Sequence, residues 1–306
     1  MMRRVTLLLT GFLLTLPCLA ENYAMLVGVR QVKAAKPSPV LEGIANDLEL
    51  GREIAQRLGV ADRNTLVFSD TGAGRPATRP HVETALQTLL EQTRPGDFVL
   101  LYLSGHGVQQ PSPIPDITEP DRLDEVFLLE DSQPWEPGKG IVNGLTDKEI
   151  RRWLAALDSK RVVVWMVADT CHAGGIARAL REWPDGELLP RGYKGLRPIW
   201  LGVKNWLRKG TAGAPAKEDV RVRASAFTHV SIFMAADKAG NALEVELRRD
   251  GRKVGLFTWA LNRAVMRSPL PVTVEQLAQE TLAQYRDYPA WVVRPVFEAA
   301  KQNSVP

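Results

Sequence analysis

Two stretches of the sequence decide the fold. Residues 97–107 read DFVLLYLSGHG and residues 162–175 read VVVWMVADTCHAGG. Each begins with a run of apolar residues, which is typical of a strand covered on both faces, and ends in small residues and glycines around a histidine or a cysteine. Because the carboxyl ends of parallel strands share one edge of a sheet, we expect His106 and Cys171 to lie close together there.

The segments around these two runs alternate between apolar strands and amphipathic helices. Strands are predicted at residues 23–29, 65–69, 97–103, 162–168 and 230–235. Helices are predicted at residues 44–58, 78–93, from 146 onward, 255–266 and 272–285. This alternation implies right-handed crossovers and therefore an α/β fold, a three-layer α/β/α sandwich around a mainly parallel central sheet.

The amino-terminal twenty residues, MMRRVTLLLTGFLLTLPCLA, have the pattern of a secretory signal peptide. A charged start precedes an apolar run, and the small residue Ala20 stands before Glu21. We expect cleavage after Ala20 and a periplasmic or secreted protein. The alternative is an uncleaved anchor, although the apolar run is shorter than the ~20 residues of a spanning helix.

The composition is that of an ordinary globular protein. Of 306 residues, 45% are hydrophobic and 24% charged, which argues against disorder, a collagen-like chain and a polytopic membrane protein. The net charge is +4, from 39 basic and 35 acidic residues, and loss of Arg3 and Arg4 would leave 37 minus 35, or +2. Nucleic-acid binding needs clustered cations, so no nucleic-acid partner is expected.

Loss of residues 1–20 would also remove Cys18 and leave Cys171 as the single cysteine. It could be a buried core residue or a reactive thiol. A neighbouring imidazole favours the second interpretation, because it promotes ionisation of the thiol and protonates a leaving amine. The glycines on either side of His106 and after Cys171 would let backbone amides approach a substrate and donate to an oxyanion.

The motifs Ser104-Gly105-His106-Gly107 and Asp169-Thr170-Cys171-His172-Ala173-Gly174 resemble the catalytic motifs of the caspase-like cysteine peptidases (clan CD, peptidase C14), specifically their metacaspase branch. Residues 41–47 and 255–258 carry weaker similarities. The resemblance implies a caspase-like fold, with Cys171 as nucleophile and His106 as general acid/base. It also implies an oxyanion hole formed by the backbone amides of Gly107 and Cys171.

The same resemblance implies that Asp47, Ser104 and Asp169 line the pocket for the residue before the scissile bond. Two carboxylates in a small pocket favour Arg or Lys. As alternatives, Asp169 could cap a strand end and Asp47 could begin a helix. The Gln-Ala-Cys context of true caspases is missing, so specificity for aspartate is not implied.

Metal binding is a separate question. Residues 116–131 contain seven acidic residues and one basic residue, Arg122. Hard oxygen ligands suit Ca²⁺, and metacaspases are often activated by calcium, but the segment lacks an EF-hand pattern and Arg178 stands where the family often has another acidic ligand. No cofactor is required by the sequence and no metal ligands are assigned; calcium binding and a solvated acidic loop remain alternatives.

The predicted organisation is a signal peptide at residues 1–20, one peptidase domain at 21–300 and a tail at 301–306. Within the domain, residues 183–228 carry nine basic and four acidic residues and read as an exposed basic loop, open to self-cleavage or able to cover the site. A short amphipathic helix around Trp200 and Trp206 is the alternative there.

We expect an exported cysteine endopeptidase whose partner is a peptide or protein with a basic residue before the cut. Membrane contact is not expected after signal cleavage, and the oligomeric state cannot be read. Two alternative functions remain. One is a catalytically silent interaction module on the same fold. The other is a flavodoxin-like ligand-binding protein, against which the missing phosphate loop is the main objection.

Overall fold

The computed structural model describes residues 20–34, 40–111, 123–170, 189–190, 222–236, 242–247, 250–289 and 292–302. The strands are β1 (Asn22–Gly28), β2 (Thr65–Ser69), β3 (Phe98–Gly105), β4 (Gly107–Pro111), β5 (Leu123–Phe127), β6 (Trp135–Glu136), β7 (Gly140–Ile141), β8 (Leu145–Thr146), β9 (Val163–Thr170), β10 (Leu189–Pro190), β11 (Val222–Ala224), β12 (Val230–Met234), β13 (Leu243–Glu246), β14 (Lys253–Gly255) and β15 (Val296–Ala299). The helices are α1 (Ile44–Arg57), α2 (Arg79–Gln92), α3 (Asp147–Ser159), α4 (Leu256–Arg267) and α5 (Val274–Ala283), with a 3-10 turn at Asp62–Asn64.

Seven of the described strands form the central sheet, in the order β11-β15-β12-β9-β3-β1-β2. The five strands from β12 to β2 run parallel to one another, whereas β15 runs antiparallel to β12. The expected mainly parallel sheet is therefore confirmed. Its middle strand is β9, with β3 next to it, and these are the strands that lead to the cysteine and histidine motifs.

Helices cover both faces of this sheet, as the three-layer sandwich requires. Alternate side chains of each strand point to opposite faces. On one face Leu26, Tyr102 and Trp165 pack in a single core with α1, α4 and α5. On the other face Val27 and Leu101 pack with α2 and α3. Strands buried on both sides explain the unbroken apolar runs in the sequence.

Three small sheets lie beside the central one. The order in the first is β4-β5-β8, in the second β10-β13-β14, and β6 pairs with β7 alone. Residues 222–224, which we assigned to the irregular basic stretch, form β11 and pair with β15 at an edge of the central sheet. Residues 225–228 are also described and connect β11 to β12. Leu189–Pro190 pairs with β13, and residues 183–188 and 191–221 lie outside the described residues.

The described residues hold no helix whose length and apolar character would let it cross a bilayer. The predicted signal peptide, except for Ala20, lies outside the described residues, as does the carboxyl-terminal tail beyond residue 302.

Candidate active site

The candidate site lies at the carboxyl ends of β3 and β9. These two neighbouring parallel strands are in register over their whole length, with Ser104 opposite Asp169 and Gly105 opposite Thr170. His106 is the next residue after Gly105 and is fully buried. Cys171 is the next residue after Thr170 and lies outside the described residues.

His106 stands at the junction between the central sheet and the small β4-β5-β8 sheet. Its carbonyl oxygen accepts a hydrogen bond of 2.9 Å from the Leu128 amide. A Cβ atom on Gly105 would lie 3.1 Å from the carbonyl oxygen of Val29 and 3.2 Å from the ring of Phe127. A side chain at this position would therefore crowd the chain just before His106, which gives a packing reason for the first glycine of the motif.

The amide of Gly107 points away from its partner strand. In an antiparallel pair, residues that face each other are alternately hydrogen-bonded and not hydrogen-bonded. The bond from the Leu128 amide to the His106 carbonyl makes the facing pair of Gly107 and Phe127 a non-bonded one. Since β4 is an edge strand of its small sheet, the Gly107 N–H faces outward from that sheet.

Asp47 and Ser104 are joined directly. The Ser104 hydroxyl donates to Asp47 Oδ2 at 2.8 Å, and Asp47 Oδ1 accepts from the Gly255 amide at 2.7 Å. Both side chains are fully buried. Asp47 lies in the first turn of α1, where the helix dipole favours a negative charge. The alternative that Asp47 only begins a helix does not describe it fully, because its carboxylate connects α1, β3 and the start of α4.

Asp169 is held by the same helix end. Its Oδ2 atom accepts from the Thr258 amide at 3.0 Å and from the Thr258 hydroxyl at 2.7 Å. The Thr258 oxygen also lies 2.6 Å from the Tyr102 hydroxyl. Asp169 is fully buried, and Gly255 and Thr258 are the capping residue and third residue of α4. The start of α4 therefore donates to both carboxylates.

Residues 255–258 showed a weak similarity to the family in the sequence, and no role was predicted for any of them. The structure places Thr258 against Asp169 and the Gly255 amide against Asp47. The sequence offered one signal of such a role, namely a helix start with a glycine before it and a threonine at its third position. It did not show which acidic residues would meet that end, because about 90 and 200 residues separate the partners along the chain.

Three of the described acidic residues at 116–131 contact different groups. Lys148 Nζ lies 2.8 Å from Asp124 Oδ1, and Lys33 Nζ lies 3.4 Å from Glu130 Oε2. Asp131 accepts from the Arg79 amide and from the Asn143 side chain. Within the described part of the chain, no three His, Cys, Asp or Glu side chains are grouped so as to hold a metal ion. Residues 112–122, with the other acids, lie outside it.

Comparisons with known proteins agree with this architecture. The family model "Metacaspase, peptidase C14 domain" matches residues 22–179. Arabidopsis thaliana Metacaspase-6 is 26% identical over 52% of this chain and 40% of that protein, and Kluyveromyces lactis Metacaspase-1 is 21% identical over 82% and 60%. The chain thus spans 40% of the length of the first of these relatives.

A crystal structure of protein GSU0716 from Geobacter sulfurreducens is similar in fold, with a TM-score of 0.57 at 19% identity, covering 94% of this chain and 98% of that one. At this identity the likeness supports the fold only. The family match extends over more than half of the chain and includes β1 through β9. The chain therefore belongs to the metacaspase family of peptidase C14 domains.

Proposed function

We propose that this protein is an exported cysteine endopeptidase that uses Cys171 and His106 as a catalytic dyad and cleaves after Arg or Lys. The observation that carries the proposal is the pairing of Gly105 with Thr170 on adjacent strands. The two reactive residues follow these partners directly. His106 also comes two residues after Ser104 and Cys171 two residues after Asp169, which is the spacing of side chains on one face of a strand.

The reaction would proceed through an acyl-enzyme. The Cys171 thiolate attacks the carbonyl carbon of the scissile bond, and His106 gives a proton to the leaving amine as the C–N bond breaks. Water then attacks the thioester, His106 takes its proton, and the sulfur leaves. The outward Gly107 amide is available to donate to the oxyanion, with the Cys171 amide as the second proposed donor.

The two buried carboxylates support a preference for a basic residue. Asp47 and Asp169 are both fully buried and both bonded to the first turn of α4, and Ser104 lies between them. A substrate cation would be the complementary partner for these two negative charges. Arg would fit better than Lys where two oxygens can accept from one guanidinium.

Activity can be tested with three fluorogenic peptides that differ only in Arg, Lys or Asp before the leaving group. We expect the mature chain to cleave the Arg and Lys peptides, and Cys171→Ala and His106→Ala to lose at least about a hundredfold of kcat. His81→Ala is the matched control, because His81 is an exposed histidine on α2 and its loss should leave the rate unchanged. Full cleavage by Cys171→Ala would reject the dyad. An inert wild-type chain whose Cys171 resists a peptide ketone would favour the silent interaction module.

Specificity has its own test. Asp47→Asn should lower kcat/KM for the Arg peptide by about tenfold or more relative to a Gln peptide, chiefly through KM, because a charge-assisted contact is lost. Asp70→Asn is the control, since Asp70 is another carboxylate near the strand ends and accepts from the Arg30 and Gln31 amides. An unchanged Arg-to-Gln ratio in Asp47→Asn would reject the pocket assignment while leaving the dyad intact.

Calcium dependence is tested in the same assay by adding a chelator. Of the described acids at residues 116–131, Asp124 and Glu130 lie against Lys148 and Lys33. A loss of rate that added Ca²⁺ restores would support calcium activation, and an unchanged rate would reject it.

A further inference from the structure

We infer that signal peptidase cleaves the Ala20–Glu21 bond and that the ammonium group of the new amino terminus then binds the carboxylate of Asp97. In this cleavage water adds across the C–N bond, leaving a carboxylate on Ala20 and, after protonation, an ammonium on Glu21. The inference rests on the proposed export but not on the proposed peptidase activity, since it concerns the opposite edge of the sheet.

The first argument is the position of Glu21. Its nitrogen donates to Asp97 Oδ1 at 2.8 Å, and its carbonyl oxygen accepts from the Phe98 amide at 3.0 Å. Glu21 is thus hydrogen-bonded to the residues that begin β3. Ala20 and Glu21 are both exposed, so the bond between them is open to a peptidase. The cleavage point indicated by the signal pattern therefore lies directly before Glu21, which is hydrogen-bonded to the residues at the start of β3.

The second argument is the Asp97 carboxylate. It is 4% exposed, and its other oxygen accepts from the Arg94 amide at 2.8 Å. In the uncut chain both of these bonds come from neutral backbone amides. After the cut, the first donor carries a full positive charge, which makes a shorter and stronger bond to a carboxylate. The remaining ammonium hydrogens can reach water because Glu21 is exposed.

Charged groups also lie close to the neighbouring Tyr23. Its hydroxyl donates to the Glu21 carboxylate at 2.6 Å, and the charges of Glu21, Asp97 and Arg94 act on it. A hydrogen bond to Glu21, together with burial, raises the pKa of Tyr23 to about 12. Tyr23 therefore stays neutral through the range in which an α-amino group titrates, about pH 7.7–8.

The test compares two chains on a Cys171→Ala background, which removes self-cleavage. One begins at Glu21 and is released from a fusion partner without any extra residue. The other keeps Leu19 and Ala20, which moves its ammonium about 7 Å along the chain. At pH 6.5 we expect the Glu21 chain to melt about 1–3 °C higher.

The pH dependence gives the sign of the effect. A cation paired in the folded state has a higher pKa there than in the unfolded chain, so the gain is full below about pH 7.7 and is lost as the pH rises. The difference in Tm should vanish by pH 10, and Asp97→Asn should abolish it at every pH. Equal melting temperatures at pH 6.5, or a difference that persists at pH 10, would overturn the ion pair even if Asp97→Asn fails to fold.

The cleavage itself is read by sequencing the amino terminus of the full chain exported from a bacterial host. We expect Glu21 as the first residue. Any other first residue would overturn the cleavage assignment. If the purified Glu21 chain shows the ion pair but the exporting cell never makes that chain, the cleavage assignment is wrong and the ion pair still holds.

Discussion

At the residue scale, the most informative contacts are those of Asp47 and Asp169. From the sequence, these acids were assigned to a substrate pocket only through family resemblance. The structure adds that each accepts from the first turn of α4, and that Thr258 connects Asp169 with Tyr102. The residues could be named in advance because strand ends and motifs are local in sequence. Their shared contact with α4 could not, because it depends on how distant segments pack.

Thr258→Val should show how much the Thr258 hydroxyl contributes to the free energy of unfolding. Valine keeps the shape but removes the hydroxyl, so Asp169 and Tyr102 each lose a buried partner. We expect the free energy of unfolding to fall by about 1–3 kcal/mol, measured by urea denaturation. Thr258→Ser, which keeps the hydroxyl, is the control and should retain most of the stability. A valine variant as stable as wild type would show that the hydroxyl is dispensable.

At the element scale, α1 is tied to the β13–β14 hairpin. The Gly43 amide donates to the buried carboxylate of Glu244 at 2.6 Å, and the Asn46 side chain donates to the Lys253 carbonyl at 2.7 Å. The segment at residues 41–47 is therefore a docking surface for the hairpin as well as the start of a helix. No short-range sequence pattern predicts such a contact between residues about 200 positions apart.

Two glycines of this region should respond oppositely to alanine. A Cβ on Gly43 would lie 2.6 Å from Glu244 Oε1 and 2.9 Å from the Lys253 carbonyl oxygen, so Gly43→Ala should destabilise the fold by about 1–3 kcal/mol. Gly51 lies inside α1, and its Cβ would meet Tyr102 at an ordinary 3.4 Å. Gly51→Ala should stabilise by up to about 1 kcal/mol. The urea midpoints of the two variants test both expectations. Equal shifts of the midpoint in Gly43→Ala and Gly51→Ala would refute the packing argument.

The link between α2 and α3 predicts a contribution to acid stability. Burial alone would raise the pKa of Glu149, but hydrogen bonds from Arg79 and Thr146 and the charge of Arg79 lower it below its ordinary value. A lowered pKa gives stability above about pH 4.3 that is lost as the pH falls further.

Glu149→Gln should therefore lose less stability than wild type between pH 5 and pH 3, measured as the change in urea midpoint. Glu83→Gln is the control, because Glu83 pairs with the same arginine at an exposed position and contributes little. If Glu149→Gln loses as much stability as wild type between pH 5 and pH 3, Glu149 is not a source of the acid sensitivity.

The sequence predicted some strands and not others, and the difference has a physical reason. β1, β2, β3, β9 and β12 were predicted within about two residues, because burial on both faces makes their apolar runs continuous. β4 reads GVQQP and β15 reads VFEA, which are short and mixed in polarity. Their strand conformation comes from pairing with distant partners, so local pattern gave no signal.

At the scale of the whole molecule, residues before and after Cys171 build one sheet. β9 pairs with β12 over five residues, from Val164 with Val230 to Ala168 with Met234. Across the same boundary, the Asn262 side chain donates to Glu53 and the Arg57 side chain to the Ser268 carbonyl. The two parts are thus joined by a strand ladder, helix packing and partly buried polar contacts.

A single backbone cut within residues 191–221 should therefore leave both fragments together. Limited trypsin treatment of the Cys171→Ala chain should give two bands on a denaturing gel and one peak on native size exclusion, at the elution volume of the intact chain. Treating the intact chain with inactivated trypsin controls for handling. Separation of the fragments without denaturant would contradict the shared sheet as their main connection.

The two carboxylates that accept hydrogen bonds from the start of α4 would impose a trade-off if they also select the substrate as proposed. A change of Asp47 or Asp169 that redirected cleavage toward neutral side chains would also weaken the anchorage of a helix that closes one face of the sheet. New preferences would then have to arise by reshaping the rim around these acids while the acids themselves stay in place. In that case the proposed selectivity and the stability of the fold would depend on the same two carboxylates, and a substitution at either would change both.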